Sequence, residues 1–152
     1  MKVRKANIII GLLGMILLVS CQDSPFFSKY FDLYKSGWDS RDTMAFALPQ
    51  SDVDCVKTLS VGVRTTGKFK YNAITLLVTQ KCDSVVVKED TVTMPIYDSG
   101  GKPLGSGFPY ILTECEVGKM KMQKKMDYTI CITHLMRLNP LEEIVSVGME
   151  LK

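Results

Sequence analysis

At 152 residues, with 46% hydrophobic and 23% charged positions, the chain has the size and composition of one folded domain, not of a disordered or fibrous polymer. Its formal charge of +3 says little about partners. Three of the 19 basic residues (Lys2, Arg4 and Lys5) fall in the first 20 positions, which hold no acid, so the remaining 16 bases balance the 16 acids. With no surplus of positive charge and no basic stripe interleaved with aromatics, nucleic-acid binding is excluded as a reading.

The chain opens as an export signal. Lys2, Arg4 and Lys5 form a positive start, followed by an apolar run from Ile8 to Val19 broken only by Gly11 and Gly14. That run is too short to cross a bilayer core, which takes about 20 helical residues. Basic start, short apolar stretch and small residue before the cut are the marks of a signal peptide. Leu18-Val19-Ser20-Cys21 has the order of a bacterial lipobox. The expectation is that residues 1–20 are removed and that Cys21 carries a thioether-linked diacylglycerol, normally with a further acyl chain on its amino group. Two or more chains anchor a protein stably where one binds only marginally. Residues 21–28 then act as a lipid-anchored tether and 29–152 as the folded domain. Gln22 in place of an aspartate after the cysteine favours the outer over the inner membrane.

Beyond the tether, Phe26, Phe27, Tyr30, Phe31 and Tyr34 form an aromatic arm, spaced for one or two helical turns or an irregular extended segment. Gly37-Trp38 is a turn. In Thr43 to Leu48, Met44, Phe46 and Leu48 alternate with smaller residues, the period of a half-buried strand. Val53 to Arg64 follows, with Leu59, Val61 and Val63 on one face. Further strands are expected over Ala73 to Thr79, Ser84 to Val87, Thr91 to Tyr97, Tyr110 to Glu116, Tyr128 to Thr133 and Glu143 to Leu151. Lys119, Lys121, Lys124 and Lys125 mark a solvated hairpin tip. About eight short strands separated by turn signals predict an all-β chain, an antiparallel β-sandwich, with a jelly-roll arrangement favoured over an immunoglobulin-like one.

Chemistry-bearing residues are sparse. Asp98 to Gly107 is rich in glycine, but no Lys-Ser/Thr opens a helix after it, so it is a turn and not a phosphate loop. Met120, Met122 and Met126 have the spacing of a methionine copper(I) site, against which stands their ordinary use as packing. Four cysteines follow Cys21, and export permits bridges. The preferred pair is Cys115 with Cys131, which a hairpin would bring across from each other. There is no C-x-x-C and His134 is the only histidine, so no metal site and no cofactor is implied. His134 itself is read as a structural histidine bonded to the backbone.

Four blocks carry a family resemblance. They are Tyr30 to Phe46 (with Tyr34, Gly37-Trp38 and Asp42), Val63-Arg64 with Tyr71-Asn72, Asp90-Thr91 with Asp98, Gly101, Leu104-Gly105 and Gly107, and His134-Leu135-Met136-Arg137 with Ile144 and Val147-Gly148. In order and spacing the chain resembles the GldH family of gliding-motility lipoproteins of the Bacteroidota. Pro103 departs from the bulkier residue the family pattern leads one to look for. The resemblance implies an accessory or assembly role in a machinery coupled to type IX secretion, without catalysis. It also implies membrane attachment through the lipid on Cys21 and envelope protein partners. A contact surface is expected around Trp38, Arg64, Phe108 and Tyr110. The alternative is a glycan-binding module using Asp39, Arg41 and Arg64 for hydrogen bonds.

Overall fold

The computed structural model describes residues 25–33 and 37–152. The expected signal peptide, Cys21 and Tyr34 lie outside the described residues. Eight strands follow in order: β1 (Phe27–Asp32), β2 (Met44–Ala47), β3 (Cys55–Thr65), β4 (Ala73–Cys82), β5 (Val85–Pro95), β6 (Ile111–Met122), β7 (Tyr128–His134) and β8 (Ile144–Leu151). They form two four-stranded antiparallel sheets, ordered β1-β8-β3-β6 and β2-β7-β4-β5. The expected all-β sandwich is therefore what folds.

Alternation builds the core. In β7, Tyr128, Ile130, Ile132 and His134 are buried while Thr129, Cys131 and Thr133 are half-buried on the outer face. Ile74, Leu76 and Val78 of β4 face Leu59, Val61 and Val63 of β3 within one apolar cluster, which Phe46, Met94, Val147 and Met149 complete. Each such side chain, fully buried, contributes about 1.5–3 kcal/mol. Phe31 of β1 and Phe46 of β2 meet across the two sheets with ring centroids 4.8 Å apart.

Among the described strands, only β4 and β5 form a hairpin within one sheet; every other connection crosses between sheets. This sorts the loops into two ends. The first end gathers the β2–β3, β4–β5 and β6–β7 connections, tied by Asp83 N–H to the Asp127 carbonyl (3.0 Å) and Lys125 N–H to the Ser51 carbonyl (2.8 Å). The start of β1 and the end of β8 point the same way, with Phe27 paired to Leu151. The opposite end gathers the other four connections.

Several expectations need correction. The aromatic arm is neither helical nor irregular: it is β1, paired with β8 from Phe27–Leu151 to Asp32–Ser146. Its spacing reads as helical because two faces of a strand both carry rings, Phe27 and Phe31 inward and Tyr30 outward. The two strands expected over Ser84 to Val87 and Thr91 to Tyr97 are one, β5 (Val85–Pro95), since Lys88 to Asp90 keep pairing with Gln80 to Val78. The proposed Cys115–Cys131 bridge is absent, and the four described cysteines are free thiols. The two residues do not share a hairpin: β6 and β7 lie in different sheets. Cys115 packs against the core, whereas Cys131 is on the outer face of β7. Met120 and Met122 are core residues, 1% exposed, so the methionine spacing reflects packing.

The outer face of the first sheet is organised by two glycines. Tyr30, Gly148, Gly62 and Glu114 form one row across all four strands. The Tyr30 ring lies over Gly148 and Gly62, where any Cβ would collide with it. Its hydroxyl donates to Glu114 Oε1 at 3.1 Å. The Arg64 guanidinium sits 4.3 Å from the ring centroid on the side away from the sheet, and Arg64 Nη1 donates to Ser146 Oγ at 3.3 Å. Burial, reinforced by the Glu114 carboxylate, pushes the Tyr30 phenol well above its usual range.

Gly62→Ala, whose added Cβ would meet only the Tyr30 side chain, is expected to cost about 1–3 kcal/mol by forcing Tyr30 off the sheet, with a much smaller cost in a Tyr30→Ala background. Denaturant midpoints of the four proteins of that cycle measure it. Dithiothreitol should leave the melting temperature unchanged, with Cys55, Cys82, Cys115 and Cys131 all titrating as thiols in denatured protein prepared without reductant.

Candidate functional site

The end of the sandwich away from the β1 start is held by one aromatic pair. Trp38 follows Gly37, whose φ of +89° places it in the left-handed region that glycine tolerates. Trp38 exchanges backbone hydrogen bonds with Leu141 (2.9 and 2.8 Å), joining the β1–β2 and β7–β8 connections. Its indole Nε1 donates to the Asp42 carbonyl at 2.8 Å. The side chain is 0% exposed, which corrects its placement on a contact surface. The physical reason is that a turn residue can point inward when its backbone pairs with a second loop laid across it.

His134 meets the Trp38 ring edge-on, with centroids 5.1 Å apart. Its Nε2–H donates to the Trp38 carbonyl at 3.0 Å and its Nδ1 accepts from Met136 N–H at 3.3 Å. Both ring nitrogens are thus committed to backbone, in one tautomer. Burial holds its pKa below the ordinary histidine value. A histidine so placed orders two loops and has no nitrogen to offer a substrate or a metal. Among the described residues, no group of three or more His, Cys, Asp and Glu side chains is arranged to hold a metal ion.

Asp39 and Arg41 pair with each other through a fork, Arg41 Nε to Asp39 Oδ1 (3.0 Å) and Nη2 to Oδ2 (2.8 Å). The Arg41 hydrogen bonds hold the Asp39 carboxyl far below the usual carboxylate range. Ser40 N–H donates to Asn139 Oδ1 at 2.7 Å, adding a second tie between the same two loops. Of the other expected contact residues, Arg64 is engaged with Tyr30 and Ser146 on the sheet face. Phe108 and Tyr110 are on the β5–β6 connection, and Phe108 is 98% exposed.

That exposure does not come from a slack loop. Asp98 Oδ1 accepts from Gly100 and Lys102 N–H (2.8 and 2.9 Å), closing a tight turn. Ser106 and Leu112 exchange backbone hydrogen bonds at 3.0 and 2.8 Å, pinning the base of the segment that carries Phe108. Gly105 packs against the Leu112 carbonyl and Thr113 so closely that no side chain fits. Leu104, on the same connection, and Leu135 and Leu138, on the β7–β8 connection, are also exposed. Strand periodicity does not single out these three leucines. Their signal was an apolar residue inside a turn-rich segment (Pro103-Leu104-Gly105, Leu138-Asn139-Pro140), where no strand can bury it.

Two grooves cut this end. One of 610 Å³ is lined by Leu33, Thr66, Tyr110, Glu143 and Ile144, among others. The other, of 290 Å³, is lined by Lys70, Tyr71, Leu138, Pro140 and Glu142, among others. Glu142 and Glu143 form the wall between them, and Thr66 Oγ1 donates to the Glu143 carboxylate. The arrangement suits contact with a partner, combining a displayed ring, scattered aliphatic side chains and an acidic ridge.

Because the folded state favours neutral His134, its stabilising contribution is complete above about pH 6.5, the unfolded value, and is lost as pH falls below it, at up to about 1.4 kcal/mol per pH unit. Melting temperatures of the native protein and His134→Gln, followed from about pH 7.5 to about pH 5, should show the steeper acid loss in the native protein.

A gliding motility lipoprotein of Flavobacterium johnsoniae is 27% identical over 162 residues, an alignment that covers 100% of this chain and 98% of the relative. The family model described as GldH lipoprotein matches residues 26–151. That span takes in all eight strands and both ends of the sandwich, and the chain therefore belongs to the GldH lipoprotein family.

Proposed function

We propose that the protein is a non-enzymatic accessory lipoprotein of the cell envelope, anchored through acylated Cys21, with outer-membrane placement favoured by Gln22. Its loop end around Phe108 docks an envelope protein of the gliding-motility or type IX secretion machinery. The observation that carries this is the display of Phe108 on a pinned loop, with Leu104 and Tyr110 exposed on the same connection and Leu135 and Leu138 exposed on the β7–β8 connection at the same end. Exposed apolar side chains gathered at one end of a domain are a mark of interaction sites, and aromatic residues are frequent anchors of interfaces. The full occupation of His134 by backbone groups supports a role without acid–base chemistry. The strand orders β1-β8-β3-β6 and β2-β7-β4-β5 favour the jelly-roll reading, because β1 and β2 sit in different sheets whereas the first two immunoglobulin strands share one.

The test is an affinity purification from membranes with native protein, Phe108→Asp and Leu138→Asp, with identification by mass spectrometry. Both positions are exposed, so the melting temperature should stay within about 0.5 kcal/mol equivalent of native. Machinery components should co-purify with the native protein and be lost at least tenfold from the variants. Unchanged recovery with the variants, or recovery of polysaccharide alone, would reject the docking surface.

A further inference from the structure

We infer that the end of the sandwich formed by the β2–β3, β4–β5 and β6–β7 connections rests on the lipid surface itself, with the valines of the β4–β5 tip entering the headgroup–acyl boundary. The inference rests on acylation of Cys21, part of the reading above. It adds a fixed orientation and a protein–lipid contact.

The first observation is where the chain enters. Phe26 packs under Lys57, whose Nζ is 5.0 Å from its ring centroid. Lys57 is two residues from the start of β3 at Cys55, so the tether joins the fold beside this end. Only residues 21–24 separate the acylation site from Pro25, and at about 3.3–3.6 Å per residue they reach no more than about 14 Å. A chain that short holds this end close to the bilayer, although it does not by itself choose which loops touch.

The second observation makes that choice. Val85, Val86 and Val87 are 66%, 50% and 56% exposed in succession. A strand with one buried face alternates apolar and polar residues, so three consecutive exposed apolar residues are not accounted for by core packing. They sit on β5, an edge strand, where bare apolar surface invites aggregation unless something covers it. Val53 and Val56, on the neighbouring β2–β3 connection and the start of β3, are exposed as well.

The charges fit a lipid occupant. Lys119, Lys121, Lys124 and Lys125 rim this end, all exposed and without an ion pair among the described residues. Asp52, Asp54, Asp83 and Asp127 share the loops. Three of them accept loop hydrogen bonds, Asp54 from Lys124 N–H (2.7 Å), Asp83 from Asp127 N–H (3.4 Å) and Asp127 from the Gln50 amide (2.8 Å). Lysines on flexible stems reach headgroup phosphates while short aspartates stay with the loop backbone.

The test uses the acylated full-length mature protein in vesicles of phosphatidylethanolamine and phosphatidylglycerol with brominated acyl chains. The sole native tryptophan, Trp38, is buried and gives a constant background. Val86→Trp and Leu138→Trp place a reporter at each end. Val86→Trp should be quenched severalfold more than Leu138→Trp, and Val85→Ser with Val87→Ser should lower that quenching. Equal quenching at the two ends, or none at Val86→Trp, overturns the inference. So does protection of Val86→Trp in native membranes but not in protein-free vesicles, which would assign this end to a protein. The mass of the N-terminal peptide reads acylation of Cys21 separately, so failure of the anchor and failure of the orientation are distinguished.

Discussion

A tyrosine lying flat on a sheet that has been cleared for it is the contact on which the placement of β1 depends. The Tyr30 ring covers Gly148 and Gly62, is itself covered by Arg64, and hydrogen-bonds Glu114 on the far edge strand. With the Glu114 side chain meeting it from the far edge, the contact links all four strands of the sheet. β1 is an edge strand of only six residues. Its inner face contributes Phe27 and Phe31 to the core, and its outer face contributes this clamp. Without both, the segment joining the lipid to the domain would hold by a single ladder of backbone hydrogen bonds to β8. The glycines serve close approach and need no unusual backbone conformation there, and their buried state follows from the ring above them.

The crossing connections give the molecule two ends with different chemistry. At one end the Trp38–His134 pair orders the connection that carries Leu135 and Leu138 outward, and the Ser106–Leu112 pairing pins the one that displays Phe108. At the other, short loops present valine and lysine beside the point where the tether enters. A sandwich whose strands nearly all alternate between sheets separates these surfaces by the length of its strands, so a lipid contact and a protein contact need not compete.

The sequence made the strands legible wherever one face is buried and the other wet. The alternation in β4, β7 and β8 is plain, and the turn signals bounding them are plain too. Arms and edges were less so. Phe26 to Tyr34 looks helical because aromatic residues serve both faces of β1, and nothing local announces that Tyr30 packs on the outside of the sheet. Gly62 and Gly148 are 86 positions apart in the chain, so the slot they form exists only after folding. Trp38 and Phe108 both stand in turn-rich segments, yet one is buried and the other bare. The difference is set by the Trp38–Leu141 backbone pairing, a long-range event. His134 was readable as structural because a lone histidine among apolar residues has few other uses, and its two backbone bonds agree. Cys115 and Cys131 do not pair for a topological reason: β6 and β7 are adjacent in sequence but lie in different sheets.

The antiparallel pairing of β1 with β8 also decides how the protein would carry a load. A pull on the lipid anchor acts at the start of β1, and a pull from a partner at the Phe108 end acts at the opposite pole. The line between them runs along the strand axes. Force applied this way shears the six registered pairs from Phe27–Leu151 to Asp32–Ser146 together, and does not peel them one at a time. The same ladder entered from its other end would unzip. Attaching the membrane at the near end of an edge strand thus turns a weakly held segment into a mechanically stiff one.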